Sequence, residues 1–429
     1  MPSRDRAGLS VRRVAIMASL IIAGEAIFIL PFVFARIFRP TMLDVFGLTN
    51  FELGLAFSVY GIVALAAYFF GGPLADRYPA RNLMSMALAG TALLGILFTR
   101  TPTGALLTLL YGAWGLTTIL LFWAAMLRAT RQWGGAQRQG IAYGLLDGGR
   151  GLFAALLATA SVSIFAMLLP VDAADASPSE KAAALRTVIW IFSGVTMATA
   201  VLIWVVIPAR DEANAASVSH HFRVSEALGI LRHPTIWLQA LVVLCAYVGY
   251  KATDDFSLFA RDVFGYDDVL AARIGTISFW ARPIAAIAAG VLADRYAASG
   301  VISVGFTLMA IGCGGIAMGL LQPGIGWMLI TVIVFTSLAI YAIRGVYFAL
   351  LAEGRVPLRY TGTAIGIVSV VGFTPDIFMG PWMGHLLDTT PGAGGHQDVF
   401  GVVALFAIIG LIASMMFRHF SRAGAVGVT

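Results

Sequence analysis

Charge is scarce in this sequence. Asp, Glu, Lys and Arg make up 12% of its 429 residues, about half the share found in soluble domains. So few charges cannot cover a water-facing surface, which excludes a soluble enzyme or binding module. Lysine is rarer still, confined to Lys181 and Lys251. Cysteine is limited to Cys245 and Cys313, both inside apolar runs, which excludes a disulfide framework or a metal cluster. Alternating ten-residue strands are missing, so a membrane β-barrel is excluded. No Walker loop, nucleophile elbow or zinc spacing occurs. ATP-driven transport and catalysis are therefore not expected, and no cofactor or metal is. Asp254 and Asp255 are adjacent on one helix and point about 100° apart, the wrong geometry for an intramembrane protease dyad. His220 and His221 lie in a polar loop and read as solvated side chains.

Apolar residues are plentiful, at 59%, with a mean hydropathy of +0.87. A helix needs about 20 such residues to cross the hydrocarbon core. Twelve runs qualify, near 12–38, 51–72, 83–100, 104–128, 140–169, 186–207, 234–259, 268–291, 300–321, 325–351, 361–386 and 398–418. Helices satisfy their own backbone hydrogen bonds in lipid. The expected fold is an all-α membrane protein with twelve transmembrane helices. The basic stretch Met1–Arg13 runs into an apolar segment too long for a signal peptide, so an uncleaved span is expected there.

With the N-terminus placed in the cytoplasm, that side holds seventeen arginines, from Arg4 to Arg422. The other side holds chiefly Arg39, Arg100, Lys181, Arg186 and Arg261. This asymmetry follows the positive-inside rule and puts both termini in the cytoplasm. The net charge of +6 thus reads as topology, and no nucleic-acid partner is expected. The longest internal polar stretch, 208–232, reads as a cytoplasmic linker. It divides the chain into six-helix bundles at 1–207 and 233–429.

An internal repeat supports that division. Gly72-Pro73-Leu74-Ala75-Asp76-Arg77-Tyr78 follows the second span, and Gly290-Val291-Leu292-Ala293-Asp294-Arg295-Tyr296 follows the eighth. Six of seven positions are identical, and the aspartates lie 218 residues apart. The two segments resemble the loop signature of the major facilitator superfamily, roughly G-x-L-a-D-r-x-G-r-[KR]-x. Both copies depart from it at their ends: Pro79-Ala80-Arg81 lacks the second glycine, and Ala297-Ala298-Ser299 lacks the basic tail. Leu121 through Arg131, Tyr143 through Gly151 and Thr361 through Asp388 are similar to enterobacterial inner-membrane members, and more loosely to the organic-anion and organophosphate branch. The resemblance implies two six-helix bundles in a bacterial inner membrane, working by alternating access as a monomer. It also implies that Gly72, Asp76, Arg77, Gly290, Asp294 and Arg295 form gating loops. Their glycines would let helices approach closely, and their aspartates would take bonds from helix amides and arginines.

A charge at membrane depth costs several kcal/mol unless it pairs or meets water, so each is a candidate site. These are Glu25, Arg36, Asp147, Arg150, Lys251, Asp254, Asp255, Arg282, Arg344 and Asp376. Asp147 and Arg150 share a helix face and can pair, as can Lys251 with Asp254 or Asp255. Asp147 with Arg150 reads equally as a structural pair, and Asp254 with Asp255 as wetted residues of an outer mouth. By the resemblance, the first, fourth, seventh and tenth helices line the cavity. Arg36, Trp123, Tyr250, Lys251, Arg344 and Tyr347 are then the candidate substrate-binding residues. Arg150, Asp147 and Arg282 are candidate helix-pair charges. Several arginines suit an anion, because the guanidinium fork matches carboxylate or phosphate. A carboxylate removed from water holds a proton more readily, so Glu25, Asp376, Asp254 and Asp255 are the proton-coupling candidates. Pro31, Pro283, Pro375 and Pro381 are expected to interrupt their helices. The expected function is import of a small, anionic organic solute driven by a proton or sodium gradient. The alternative is proton-antiport export of an amphipathic drug. The fifth span has no proline before Pro170, unlike the exporters' signature, and this favours import.

Overall fold

Capping residues set where several of the helices begin. The computed structural model describes residues 2–135, 139–170, 173–209, 233–321, 323–354 and 361–426. Among them, twelve helices are long and apolar enough to cross a membrane. They are α1 Val11–Ile37, α2 Asn50–Arg77, α3 Ala80–Phe98, α4 Gly104–Gly134, α5 Ile141–Leu168 and α6 Pro178–Val206. The second six are α7 Pro234–Phe264, α8 Asp268–Tyr296, α9 Ala298–Ala317, α10 Gly326–Glu353, α11 Ala364–Thr389 and α12 Ala393–Ser421. Of the expected linker, only Pro208 and Ala209 are among the described residues; His220 and His221 lie outside them.

Two starts differ from the expected ones for physical reasons. α6 begins eight residues early because Ser177 and Glu180 form a reciprocal capping box ahead of Pro178. α12 begins at Ala393, before the apolar run, so His396 lies on a helix and not in a loop. Thr49 and Glu52 bond reciprocally at the start of α2.

Five helices depart from regular α geometry. α1 widens to a π-helix over Ile29–Val33, around Pro31, which has no N–H to donate. α4 widens over Leu116–Trp123, where the Thr117 and Thr118 hydroxyls bond back to the Trp114 carbonyl. α7 tightens to a 3₁₀ turn at Thr253–Asp255, and α10 at Tyr347–Ala349. α11 is interrupted after Gly372 and resumes at Pro375. The expected breaks at Pro283 and Pro381 do not occur; each proline lies inside a continuous helix. A single freed carbonyl can be re-satisfied by neighbours in a membrane bundle.

The chain forms two compact units. Unit 1 comprises the described residues of Met1–Leu48, Leu55–Ser217 and Asp267–Phe279. Unit 2 comprises those of Thr49–Gly54, Val218–Tyr266 and Trp280–Thr429. In unit 1, α1 packs on α5 and α6, and α3 on α4 and α6. In unit 2, α7 packs on α11 and α12, and α9 on α10 and α12. The second pattern is the first shifted by six helices, as duplication requires. Unit 1 has an aromatic core that includes Phe34, Phe38, Phe98, Trp114 and Phe192. Unit 2 stacks Phe256 on Phe400.

The unit boundaries depart from the 1–207 and 233–429 division at two places. The start of α8 belongs with unit 1, where Asp268 accepts from Thr41 (3.0 Å) and pairs with Lys181 (2.5 Å). The start of α2 belongs with unit 2, where Asp388 accepts from the amides of Asn50 and Phe51.

Candidate functional site

In unit 1, α1 buries Glu25 among apolar neighbours. The Arg150 Nε of α5 lies 3.5 Å from its Oε2. Gly24 makes room for this approach: a Cβ there would sit 2.8 Å from Arg150 Cδ. The guanidinium lies 5.6 Å from the Trp123 ring and 5.7 Å from the Phe28 ring. Those rings meet edge to face at 6.1 Å. The result is an ion pair walled by aromatics, which spares either charge from burial alone. Asp147, one turn before Arg150, lies on the exposed side of α5. Arg36 is buried near the end of α1, its guanidinium 5.5 Å from the Phe279 ring.

In unit 2, α7 brings Tyr247, Tyr250, Lys251 and Asp254 to successive turns. Lys251 Nζ lies 3.3 Å from Asp254 Oδ2 and 3.5 Å from Asp376 Oδ1 of α11. The Tyr247 hydroxyl donates to Asp376 Oδ2 at 2.9 Å. Asp254 and Asp255 are both buried, not wetted. Asp255 faces away from this group and meets His396 of α12, whose other ring nitrogen lies against Asp262 of α7.

Arg344 of α10 differs from every other candidate. Its guanidinium carbon stands 3.6 Å from the centroid of Tyr250 and 5.3 Å from that of Tyr247. Tyr347 and Arg282 are the other ionisable groups in electrostatic reach. Its Nη1 is buried and has no hydrogen-bond partner, and no carboxylate pairs with Arg344 among the described residues. Tyrosine faces stabilise a cation by about 0.5–2 kcal/mol and leave the N–H donors unused. Tyr341, from the same helix, joins the ring cluster 6.2 Å from Tyr250. Tyr347 is anchored where its carbonyl accepts from Gln239 at 3.0 Å.

Three residues of these clusters escaped the sequence reading. Tyr247 could have been found, since it stands one turn before Lys251 and on its face. His396 and Asp262 could not, because His396 fell outside the apolar run that marked the last span.

The repeated loops stand apart from both clusters. Asp76, Arg77, Asp294 and Arg295 are exposed. Neither aspartate has a hydrogen bond or ion pair among the described residues. The expected close packing at Gly72 and Gly290 is not found, because a Cβ at either would meet nothing within 4 Å. One residue along a helix turns by about 100°, so it is Gly71 that faces α4, where a Cβ would lie 3.3 Å from the Ile119 carbonyl oxygen. Among the described residues the tightest approach of a glycine to backbone is elsewhere, where a Cβ on Gly54 would lie 2.2 Å from the Gly380 carbonyl oxygen. Ala297, in the place of the signature's second glycine, adopts φ +73°, whereas Pro79 in the first copy has φ −57°.

Known proteins place the chain. A family model described as Major Facilitator Superfamily matches residues 14–381. The Escherichia coli K12 inner membrane protein YqcE is 28% identical over 408 residues, covering 93% of this chain and 94% of its own. The inner membrane protein YihN of the same organism is 26% identical over 421 residues, covering 95% and 96%. The nucleoside transporter NupG, in a mutant form, superposes with a TM-score of 0.73 at 13% identity, covering 95% of this chain and 99% of its own. An inward-facing, unoccupied bacterial homologue of the human lysosomal transporter Spinster gives 0.70 at 16% identity, covering 96% and 97%. At such identities the structures speak for the fold alone. The chain thus belongs to the Major Facilitator Superfamily, as a multi-pass inner membrane protein that carries a solute by secondary transport.

Proposed function

We propose that this transporter imports a small organic anion in symport with protons. The observation that carries the proposal is Arg344, a charge with a buried, unused N–H and no carboxylate partner among the described residues. A buried donor without a partner costs about 1–3 kcal/mol, which a bound carboxylate or phosphate would recover through charge-assisted bonds. Tyr250, Tyr347 and Lys251 are proposed to complete substrate recognition around Arg344, and Trp123 and Arg36 are the proposed substrate-binding residues of unit 1. A neutral solute such as a nucleoside would leave the arginine uncompensated, so NupG's substrate is not carried over to this chain.

The Lys251–Asp376–Tyr247 network supports the coupling. Tyr247 lies under Arg344 with its ring and holds Asp376 with its hydroxyl. An anion drawn to Arg344 would therefore disturb the same tyrosine that fixes the carboxylate. Asp376, Glu25, Asp254 and Asp255 are the proposed proton carriers. Asp76 and Asp294, without partners among the described residues, are the proposed gates on the cytoplasmic side, which the positive-inside bias assigns to them.

A thermal-shift screen of the purified protein tests the reading, because a ligand of the folded state raises its apparent stability. Carboxylates, sugar phosphates and sulfonates are set against neutral nucleosides and cationic drugs. At least one anion is expected to raise Tm, and its uptake into proteoliposomes is expected to follow an imposed pH gradient. Stabilisation by neutral or cationic compounds alone would refute the anion. Uptake indifferent to the gradient and to protonophores would refute the proton.

A further inference from the structure

Unit 2 holds a second ionisable group, separate from the Arg344 cluster. His396 is fully buried in the first turns of α12. Its Nδ1 lies 2.7 Å from Asp255 Oδ2, and its Nε2 lies 3.3 Å from Asp262 Oδ2. The other oxygen of Asp262 accepts from Arg261 Nε at 3.1 Å. Phe259 meets the imidazole edge to face at 5.3 Å. These are the partners of His396 among the described residues. Asp255 and Asp262 are seven residues apart on α7, two turns along one face.

The two carboxylates differ in access. The Asp262 side chain is 28% exposed, whereas that of Asp255 is 0% exposed. Asp255 Oδ1 is buried and accepts no hydrogen bond. His396 is thus the only donor to Asp255 among the described residues, and a buried carboxylate with one donor gains most from a charged one.

We propose that His396, held between Asp255 and Asp262, is a proton-binding site loaded through Asp262. In the unloaded state the neutral ring keeps its proton on Nδ1 and donates to Asp255, while the bare Nε2 faces Asp262. A proton taken up by Asp262 then leaves its carboxyl oxygen as an Nε2–H bond forms. Both nitrogens now donate, and the charges of His396, Arg261, Asp255 and Asp262 sum to zero. Unloading reverses the step. Asp254, next to Asp255, pairs with Lys251, which also meets Asp376. Loading therefore puts a charged imidazole against Asp255, itself one of the carboxylates proposed above to couple transport and the sequence neighbour of Asp254. The charge bias of the sequence assigns this end of α7 to the outer side, where an importer takes up its protons. The site rests on the proton-symport reading and adds to it a port of entry.

Proteoliposomes on a solid-supported membrane, given a pH jump without solute, test it directly, because the probe is the proton itself. The wild type is expected to give a transient current. His396→Gln is expected to reduce the displaced charge at least fivefold, and Asp262→Asn to slow its rise at least tenfold. Asp376→Asn separates the two proposals. Currents lost in Asp376→Asn but unchanged in His396→Gln and Asp262→Asn would overturn the His396 site and leave symport standing. No current in the wild type would remove both. If His396→Gln fails to elute as a folded monodisperse species, Asp262→Asn at the exposed end decides alone, and an unchanged rise overturns the site.

Discussion

The two halves share a plan and differ in how they treat charge. In the first half, α1 and α4 widen into π turns, and Glu25 and Arg150 neutralise each other behind Phe28 and Trp123. In the second, α7 and α10 tighten into 3₁₀ turns, Lys251 sits between two carboxylates, and Arg344 rests on tyrosine faces. Duplication preserved the helix contacts but not the chemistry between them. The first half pairs its central charges internally, and the second keeps one cation in want of an anion. The helices that resemblance assigns to the cavity wall are also four of the five that leave regular α geometry. Irregular turns re-aim side chains and are frequent at functional positions.

The sharpest way to break this comparison is Arg344→Ala. Removing a desolvated charge that binds an anion is expected to cost about 2–5 kcal/mol of affinity, or at least about 30-fold in Kd, read by calorimetry with an anion found in the screen. Little loss of thermal stability should accompany it, because no internal carboxylate is left behind. Arg344→Lys is expected to recover only part of the affinity, having lost the fork. Arg344→Ala with wild-type Kd would end the distinction between the halves.

Arg150→Met is expected to behave in the opposite way. It strips a buried carboxylate of its ion-pair partner, at about 3 kcal/mol of stability. The double variant Glu25→Gln/Arg150→Met should recover most of that loss in thermal unfolding. A fully additive double variant would mean that the pair is not coupled.

Glycine contacts provide a smaller contrast. A Cβ on Gly384 would lie 2.4 Å from the Asn50 carbonyl oxygen, whereas one on Gly72 meets nothing. Gly384→Val is expected to cost about 1–3 kcal/mol through overpacking, and Gly72→Ala less than about 0.5 kcal/mol. The smallest expected effect compares the loop copies. Ala297→Gly should stabilise by about 1 kcal/mol by relieving φ +73°. Pro79→Gly should destabilise by about 0.5–1 kcal/mol by freeing the unfolded chain. Equal responses at the two positions would show that the loops do not differ in strain.

Much of the fold was legible in one dimension. Lipid demands long apolar helices, so the spans stand out as runs, and the repeat stands out because both copies keep six of seven residues. Helix starts set by polar caps were less legible: Ser177 and Glu180 extend α6 through a stretch whose composition reads as loop. Within the site, the charges inside the expected spans could be named, because their cost in lipid makes them conspicuous, whereas Asp262 lay beyond the expected end of α7. The i,i+3 rule anticipated Lys251 with Asp254, while the approach of Arg150 to Glu25, 125 residues away in the chain, has no such local signal.

Composition and the repeat therefore determined by themselves that this is a duplicated helical membrane protein, because hydrophobic run length and self-similarity are properties of the chain alone; that it is a transporter rests on the family its loop signature resembles. Only the tertiary structure decided which charges are spent on each other. Arg150, Lys251 and Asp255 found partners on other helices, and Arg344 found tyrosines instead of a carboxylate. Pairing depends on which faces two helices turn to each other across a few ångströms, and a linear pattern carries that information only within one helix.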